Sequence, residues 1–402
     1  MLVSTAILVL LLEGPVIDDW QLHQRISHVL ECDGGIHVED AEGKVLLTWH
    51  GQEPLVPASV LKLATAAFVL DELGEDYRPK TTFLYNPDTD VLCVRGTGDP
   101  FLVSDELRCV VDSLKALGVD TVQTCIADCS NFRDHLTVEG QGNSYNPYDA
   151  GFGAFFVNFN TISVRIGSDG SVHPGESETP LTALARARAR HIRSPGLHRL
   201  SIHDGDFSGP LYGLELFGAL LKEKGIHTSE NYTIESCQDS GNYIRYEHAN
   251  SRTLADMVTS MLKYSNNVVA NALLLHTMYQ RSTAQPSVEQ GAEALSDFLA
   301  DVCGTNNFVV HEGSGLSRSN CIRPLDVVGI LRYMVHHGWD DYLPEYDTVR
   351  AKSGTLDGVS CLAGTFREES GRRLLFAILL NGAIDCRDKA LHLLIDLFGR
   401  SE

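Results

Sequence analysis

Apolar positions along the chain follow two spacings. Over 18–30 they fall at Trp20, Leu22, Ile26, Val29 and Leu30, the interval of a helix that buries one face. Ile36-His37-Val38 and Val45-Leu46-Leu47 then flank a polar stretch, 39–44, that holds Gly43, which predicts a hairpin. Pro57 opens a helix predicted over 58–73, and Gly74 stops it. From about residue 80 short strand-like runs (81–84, 91–94, 161–164) alternate with Gly, Asp and Asn clusters, interrupted by a helix over 106–117. Over 182–193 Ala alternates with Arg186, Arg188 and Arg190, a period of two that reads as a solvated strand. A helix follows over 210–225. Helical spacing returns over 254–264 and 267–279. Adjacent strands are expected between 348 and 381, and a closing helix over 387–398.

This order places a helix-rich texture at both ends and a strand-and-turn texture between them. A chain of 402 residues has room for two or three domains, at roughly 150 residues each, or for one core carrying a large insertion. Lys and Arg number 32 against 53 Asp and Glu, a net charge of −21. That balance argues against nucleic acid or an anionic membrane as the main partner, since both attract clustered cations.

The run 2–12 has the apolar core of a secretory signal. It lacks a preceding Lys or Arg and a clear small-x-small cleavage site before Glu13-Gly14-Pro15, so it reads as a signal remnant (1–16) or as a structural segment. It is far shorter than the ~20 residues of a membrane span. Ten cysteines are spread without a C-x-x-C pair, the pattern of buried thiols with one or two long-range disulfides. Cys125 and Cys129 share a strand-like run and lie roughly 13 Å apart in it, too far to bridge. The 16 histidines show no metal-ligand spacing, so no metal is expected. Gly96-Thr97-Gly98 lacks the third glycine of a dinucleotide loop and reads as a structural turn; no cofactor is called for.

Three short motifs carry chemistry. Ser59-Val60-Leu61-Lys62 begins the helix entered through Pro57, Ser265-Asn266-Asn267 separates two helices, and Lys352-Ser353-Gly354-Thr355 ends a strand. On a helix, positions i and i+3 share a face, so Lys62 can reach the Ser59 hydroxyl. A hydroxyl needs an adjacent base to become a nucleophile, and Lys62 serves as one when burial or the nearby Lys352 cation favours its neutral form. Ser265 can relay a proton toward a leaving amine, and Asn267 can hold the substrate's peptide. Lys352 and Ser353 offer a cation and a hydroxyl to a carboxylate. Gly354 lets an extended substrate run along the strand, with Thr355 beside it. The backbone N–H groups of Ser59 and Thr355 are candidates for an oxyanion hole.

The S-x-x-K, S-x-N and K-[ST]-G triplet matches the active-site serine penicillin-recognising enzymes. The chain resembles the penicillin-binding-protein-4-like D-alanyl-D-alanine carboxypeptidases/endopeptidases in Pro57 to Leu63, in Gly96-Thr97-Gly98-Asp99-Pro100, in Asn158-Phe159-Asn160, in Met261 to Asn267 and in Gly313-Ser314-Gly315-Leu316-Ser317-Arg318-Ser319-Asn320. The resemblance implies an α/β (α+β) fold. Its β-lactamase/transpeptidase-like core is a mainly antiparallel sheet flanked by helices, built from 1–79 and 251–402, with an inserted domain over 80–250. It implies hydrolysis of peptidoglycan stem peptides through an acyl-enzyme on Ser59, with DD-endopeptidase activity as a second capacity and β-lactams as covalent inhibitors. It also implies a periplasmic or otherwise extracytoplasmic location. Glu312 stands where the family usually has Asp, and Asp134 and Asp149 are the candidates for reading a stem-peptide amine. Tyr264-Ser265-Asn266 also spells the Y-x-N of esterases and class C β-lactamases. A hydrolase of that kind, or an idle binding module, is the alternative reading.

Overall fold

The computed structural model describes residue 26 and residues 33–132, 136–202, 208–238, 241–282, 285–382 and 386–399. The N-terminal apolar run, most of the helix expected over 18–30, and Asp134 lie outside the described residues.

The chain begins with β1 (Asp33–Asp40) and β2 (Val45–Trp49), then a 3₁₀ turn (Ala58–Leu61) that runs into α1 (Lys62–Leu73). The middle holds β3 (Lys80–Asn86), β4 (Val91–Arg95), α2 (Ser104–Ala116), β5 (Thr121–Val122), β6 (Thr124–Asp128), β7 (Thr161–Ile166), β8 (Val172–Pro174), α3 (Ala183–Ala189), β9 (Gly196–Ser201), α4 (Ser208–Glu223), β10 (His227–Thr228), β11 (Tyr232–Ile234) and β12 (Ile244–Ala249). Then follow α5 (Leu254–Tyr264), α6 (Asn267–Arg281), α7 (Val288–Cys303), α8 (Pro324–His337), β13 (Glu345–Tyr346), β14 (Val349–Leu356), β15 (Val359–Arg367), β16 (Arg373–Asn381) and α9 (Arg387–Phe398).

A six-stranded sheet of order β13-β14-β15-β16-β1-β2 is antiparallel throughout and joins both ends of the chain, with Ile36 opposite Ile378. Its central strands are buried on both faces. Along β16 the alternation is regular: Leu375, Ala377 and Leu379 face the helical layer of α1 and α5–α8, while Leu374, Phe376, Ile378 and Leu380 face α9 through Leu391 and Leu394. Helix α1 is apolar on nearly every side, with Leu63, Ala64, Ala66, Ala67, Phe68, Val69 and Leu70 all buried. That is the composition of a helix enclosed by its neighbours rather than lying on a surface.

A second core is formed by the middle of the chain. There β11-β6-β4-β3-β12 form a mixed sheet, parallel at β11/β6 and β6/β4, against α2 and α4. A three-stranded sheet, β8-β7-β9, adjoins it. Polar bonds join this part to α6 and to the chain after β12. His276 bonds Thr97 O through Nδ1 at 2.7 Å and Tyr77 Oη through Nε2 at 2.8 Å, and Asp99 accepts from Asn250 Nδ2 at 2.8 Å. The resembling turn 96–100 thus sits at the seam between the two cores.

One element differs from expectation. Residues 183–189 are not a strand but α3, whose first turn is capped by the Thr182 hydroxyl accepting from Ala185 N. Ala185 and Ala189, four apart, are its buried face. Ala has the highest helix propensity and Arg is close behind, so composition outweighs the two-residue alternation. Cys93 and Cys237 form a disulfide across 144 residues. Asp128 lies beside the two sulfurs, the one cysteine–carboxylate group among the described residues with metal-like clustering, but the sulfurs are bonded to each other.

Candidate active site

Ser59 lies in the 3₁₀ turn ahead of α1, and Lys62 is the helix's first residue. The backbone before Ser59 is held in an unusual shape. Ala58 has φ of 46°, a left-handed conformation that costs an L-residue about 1–3 kcal/mol. Gly315 packs directly on it: its φ is 78°, and a Cβ there would overlap the Ala58 carbonyl. Ser59 is half-buried, whereas Lys62 is fully buried.

The Lys62 ammonium donates to three acceptors: Ser59 Oγ at 2.9 Å, Asn267 Oδ1 at 2.8 Å and Ser314 O at 2.7 Å. Burial, and secondarily the charge of Lys352, push its pKa well below that of a free lysine, with Glu312 pulling the other way. The structure therefore brings Ser59, Lys62 and Asn267 together. Asn266 instead turns back to cap α6, its Oδ1 accepting from Val269 N, and Tyr264 is exposed. Of the two overlapping motifs, the S-x-N frame is the one that reaches Lys62. Ser265 ends α5 in a left-handed conformation (φ 53°) and is half-buried. Its hydroxyl makes no hydrogen bond to a described residue.

Strand β14 runs against the same turn. A Cβ on Gly354 would sit 2.8 Å from Pro57 O and 2.9 Å from Ser59 N, so only glycine lets the strand approach this closely. Lys352 is buried, its Nζ donating to Ser353 O at 2.6 Å. Burial first, and the Arg387 charge second, bring its pKa down to about 8. Ser353 is half-buried, and Thr355 is exposed and accepts from Arg387 Nη1 at 3.2 Å. β13 pairs only with Val349 and Arg350, and no described strand pairs with the same edge of β14 beyond them. That edge is open to an added extended chain.

Several neighbours of the site lie outside the three motifs. Glu312 is a fully buried carboxylate two residues before Ser314. Asn271, one helical turn after Asn267, donates to it at 3.0 Å and accepts from Gly313 N at 2.8 Å. The middle of the chain also reaches the site: Asn267 Nδ2 donates to Tyr148 O at 3.5 Å, and Tyr148 is exposed. The aromatic pair Tyr145 and Tyr148 in a polar loop was the available cue. Asp149 does not face the opening. Its carboxylate is buried and accepts from Gly142 N at 2.8 Å and Ser144 Oγ at 2.5 Å, tying its own loop together.

The chain matches the sequence profile of the D-Ala-D-Ala carboxypeptidase 3 (S13) family over residues 24–189, 207–346 and 344–392. It is 22% identical over 403 residues to the D-alanyl-D-alanine carboxypeptidase DacB of Haemophilus influenzae, covering 85% of this chain and 83% of that protein. It is 24% identical over 446 residues to a D-alanyl-D-alanine carboxypeptidase of an Actinomadura species, covering 90% and 81%. The crystal structure of penicillin binding protein 4 from Haemophilus influenzae superposes with a TM-score of 0.73 at 18% identity, covering 90% of this chain and 93% of that one. A predatory peptidoglycan endopeptidase from Bdellovibrio bacteriovorus superposes with a TM-score of 0.53 at 14% identity, covering 89% and 87%. The two superpositions establish the fold.

Proposed function

Because the chain belongs to the D-Ala-D-Ala carboxypeptidase 3 (S13) family, we propose that its hydrolytic centre is the cluster at Ser59, acting on the bond between two D-alanines of a peptidoglycan stem peptide. The observation that carries this is the set of partners around Lys62. Two of them, Asn267 Oδ1 and Ser314 O, can only accept. In a neutral Lys62 they take its two N–H bonds, so the lone pair faces the one partner able to donate, Ser59 Oγ–H. Burial and Lys352 favour that neutral form.

In this account Lys62 takes the Ser59 proton as Oγ bonds to the carbonyl carbon. The carbonyl electron pair moves to oxygen, facing the N–H groups of Ser59 and Thr355. Collapse breaks the C–N bond, and the leaving amine receives the proton from Lys62 through Ser265. Water then attacks the ester, its proton going to the base, and Ser59 regains its hydrogen. The substrate adds along the open edge of β14, with its carboxylate at Lys352 and Ser353 and its peptide at Asn267.

We divide the chain accordingly into a catalytic part, 1–79 with 251–402, and an inserted part, 80–250. Peptidoglycan lies outside the cytoplasmic membrane, so the site of action is extracytoplasmic; no helix among the described residues is long and apolar enough to cross a membrane. β-Lactams, as mimics of the D-alanyl dipeptide, acylate the same serine.

The test is mass spectrometry of a muropeptide digest treated with the purified protein. Loss of one D-alanine from pentapeptide stems supports carboxypeptidase action, and conversion of cross-linked dimers to monomers adds DD-endopeptidase action. Neither change, with rapid opening of a chromogenic cephalosporin, replaces this reading with a β-lactamase-like one.

A further inference from the structure

Glu312 is a fully buried acid that the reaction above does not use. Its Oε2 accepts from Ser314 N at 2.6 Å, Ser314 Oγ at 2.5 Å and Asn271 Nδ2 at 3.0 Å. Its Oε1 accepts from Leu316 N at 2.7 Å, Asn320 Nδ2 at 2.9 Å and Ser317 N at 3.3 Å. Burying a carboxylate is costly unless donors replace its water, and here six donors do so. Burial alone would push its pKa up; the bonds from Ser314 and Asn271, with the nearby Lys62 charge, outweigh that and hold it below the usual glutamate value. The group is therefore an anion, and it is locked to the residue whose carbonyl receives Lys62.

We propose that Glu312 is a positioning residue for the base: it fixes the Ser314 carbonyl that orients Lys62, and it supplies the negative charge that opposes the Lys352 charge at Lys62. The groups facing Lys62 come from four elements. Ser59 is on its own turn, Asn267 is on α6, Lys352 is on β14, and Ser314 and Glu312 are on the 312–317 loop. Thr65, one turn along α1, and Asn271 on α6 brace the loop through Gly313. Arg387, on α9, acts on Lys352. Glu312 is the anion in this set. Without it, the Lys352 charge would act on Lys62 unopposed, and Lys62 would give up its proton more readily.

This inference rests on Lys62 being the base. Its test is the pH profile of acylation by penicillin in the full-length protein. Glu312→Gln keeps the shape and removes the charge. Lys62 then loses its proton more readily, so the acid limb moves down by about one pH unit, and the plateau rate falls about tenfold as the Ser314 carbonyl loosens. Glu312→Asp keeps the charge, and its limb stays at the wild-type position with a lowered plateau. A folded Glu312→Gln protein whose plateau falls while its limb stays put makes the residue merely structural and overturns the proposal. Should the glutamine variant not fold, the aspartate variant decides: a shifted limb or an unchanged plateau overturns it. A wild-type protein that penicillin does not acylate overturns the Ser59 reading instead, so the two failures are distinct.

Discussion

Lys62 Nζ lies 2.7 Å from the carbonyl oxygen of Ser314, a residue 252 positions further along the chain. The same nitrogen lies 2.9 Å from Ser59 Oγ, three positions back. One bond is written into a local motif; the other exists only when both ends of the chain fold together. The second gives the first its direction, because it removes one N–H from competition and leaves the serine as the partner that can give up a proton.

Lys352 is the second buried cation, and its charge disfavours the ammonium of Lys62. Lys352→Met removes that repulsion. Lys62 then holds its proton to a higher pH, so the acid limb of penicillin acylation shifts upward, opposite in sign to the Glu312→Gln shift. The plateau falls about ten- to a hundredfold, from the lost charge-assisted bond to the ligand carboxylate. Stopped-flow acylation between pH 5 and 10 reads both effects; a limb that stays in place removes Lys352 from the tuning of the base.

Gly354 carries the close approach of β14 to Ser59. Gly354→Ala puts a methyl 2.8–3.0 Å from Pro57 O, Ser59 N and Val60 N, all of them backbone atoms that cannot swing aside. The expected cost is about 1–3 kcal/mol of stability, with acylation slowed more than tenfold because the strand and the nucleophile's turn are forced apart. Thermal melting and acylation rate check the two halves. An alanine variant with wild-type acylation would show that the strand does not position the serine.

The Cys93–Cys237 disulfide closes 144 residues within the middle part of the chain. Constraint of so long a loop is worth about 2–4 kcal/mol. The double substitution to alanine lowers the melting temperature, yet acylation of Ser59 persists at 25 °C because neither sulfur touches the catalytic cluster. Coincident loss of acylation and of the fold at 25 °C would show that the catalytic part cannot stand without the insertion.

The fold was legible where a short window carries the answer. Helix α5 and helix α9 show helical spacing with clear ends, and both begin and end where the pattern places them. The strands β14, β15 and β16 follow from apolar runs between turn residues. Alternation misled over 183–189, where the buried Ala185 and Ala189 fit helical spacing as well as a period of two. The candidate site was half legible. Ser59, Lys62 and Asn267 were read from motifs, and the structure brings them within hydrogen-bonding distance. Glu312, Asn271 and Tyr148 were not singled out as site residues, because their roles depend on which distant segments meet. The Cys93–Cys237 pairing was hidden for the same reason, since ten cysteines do not announce their partners.

The most direct test of the account is intact-protein mass spectrometry after incubation with benzylpenicillin, followed by peptide mapping. The account predicts one penicilloyl adduct per chain, on Ser59, absent in Ser59→Ala and slowed at least a hundredfold in a folded Lys62→Ala variant. An adduct on another residue, or none at all when a control penicillin-binding enzyme is labelled in parallel, would contradict it.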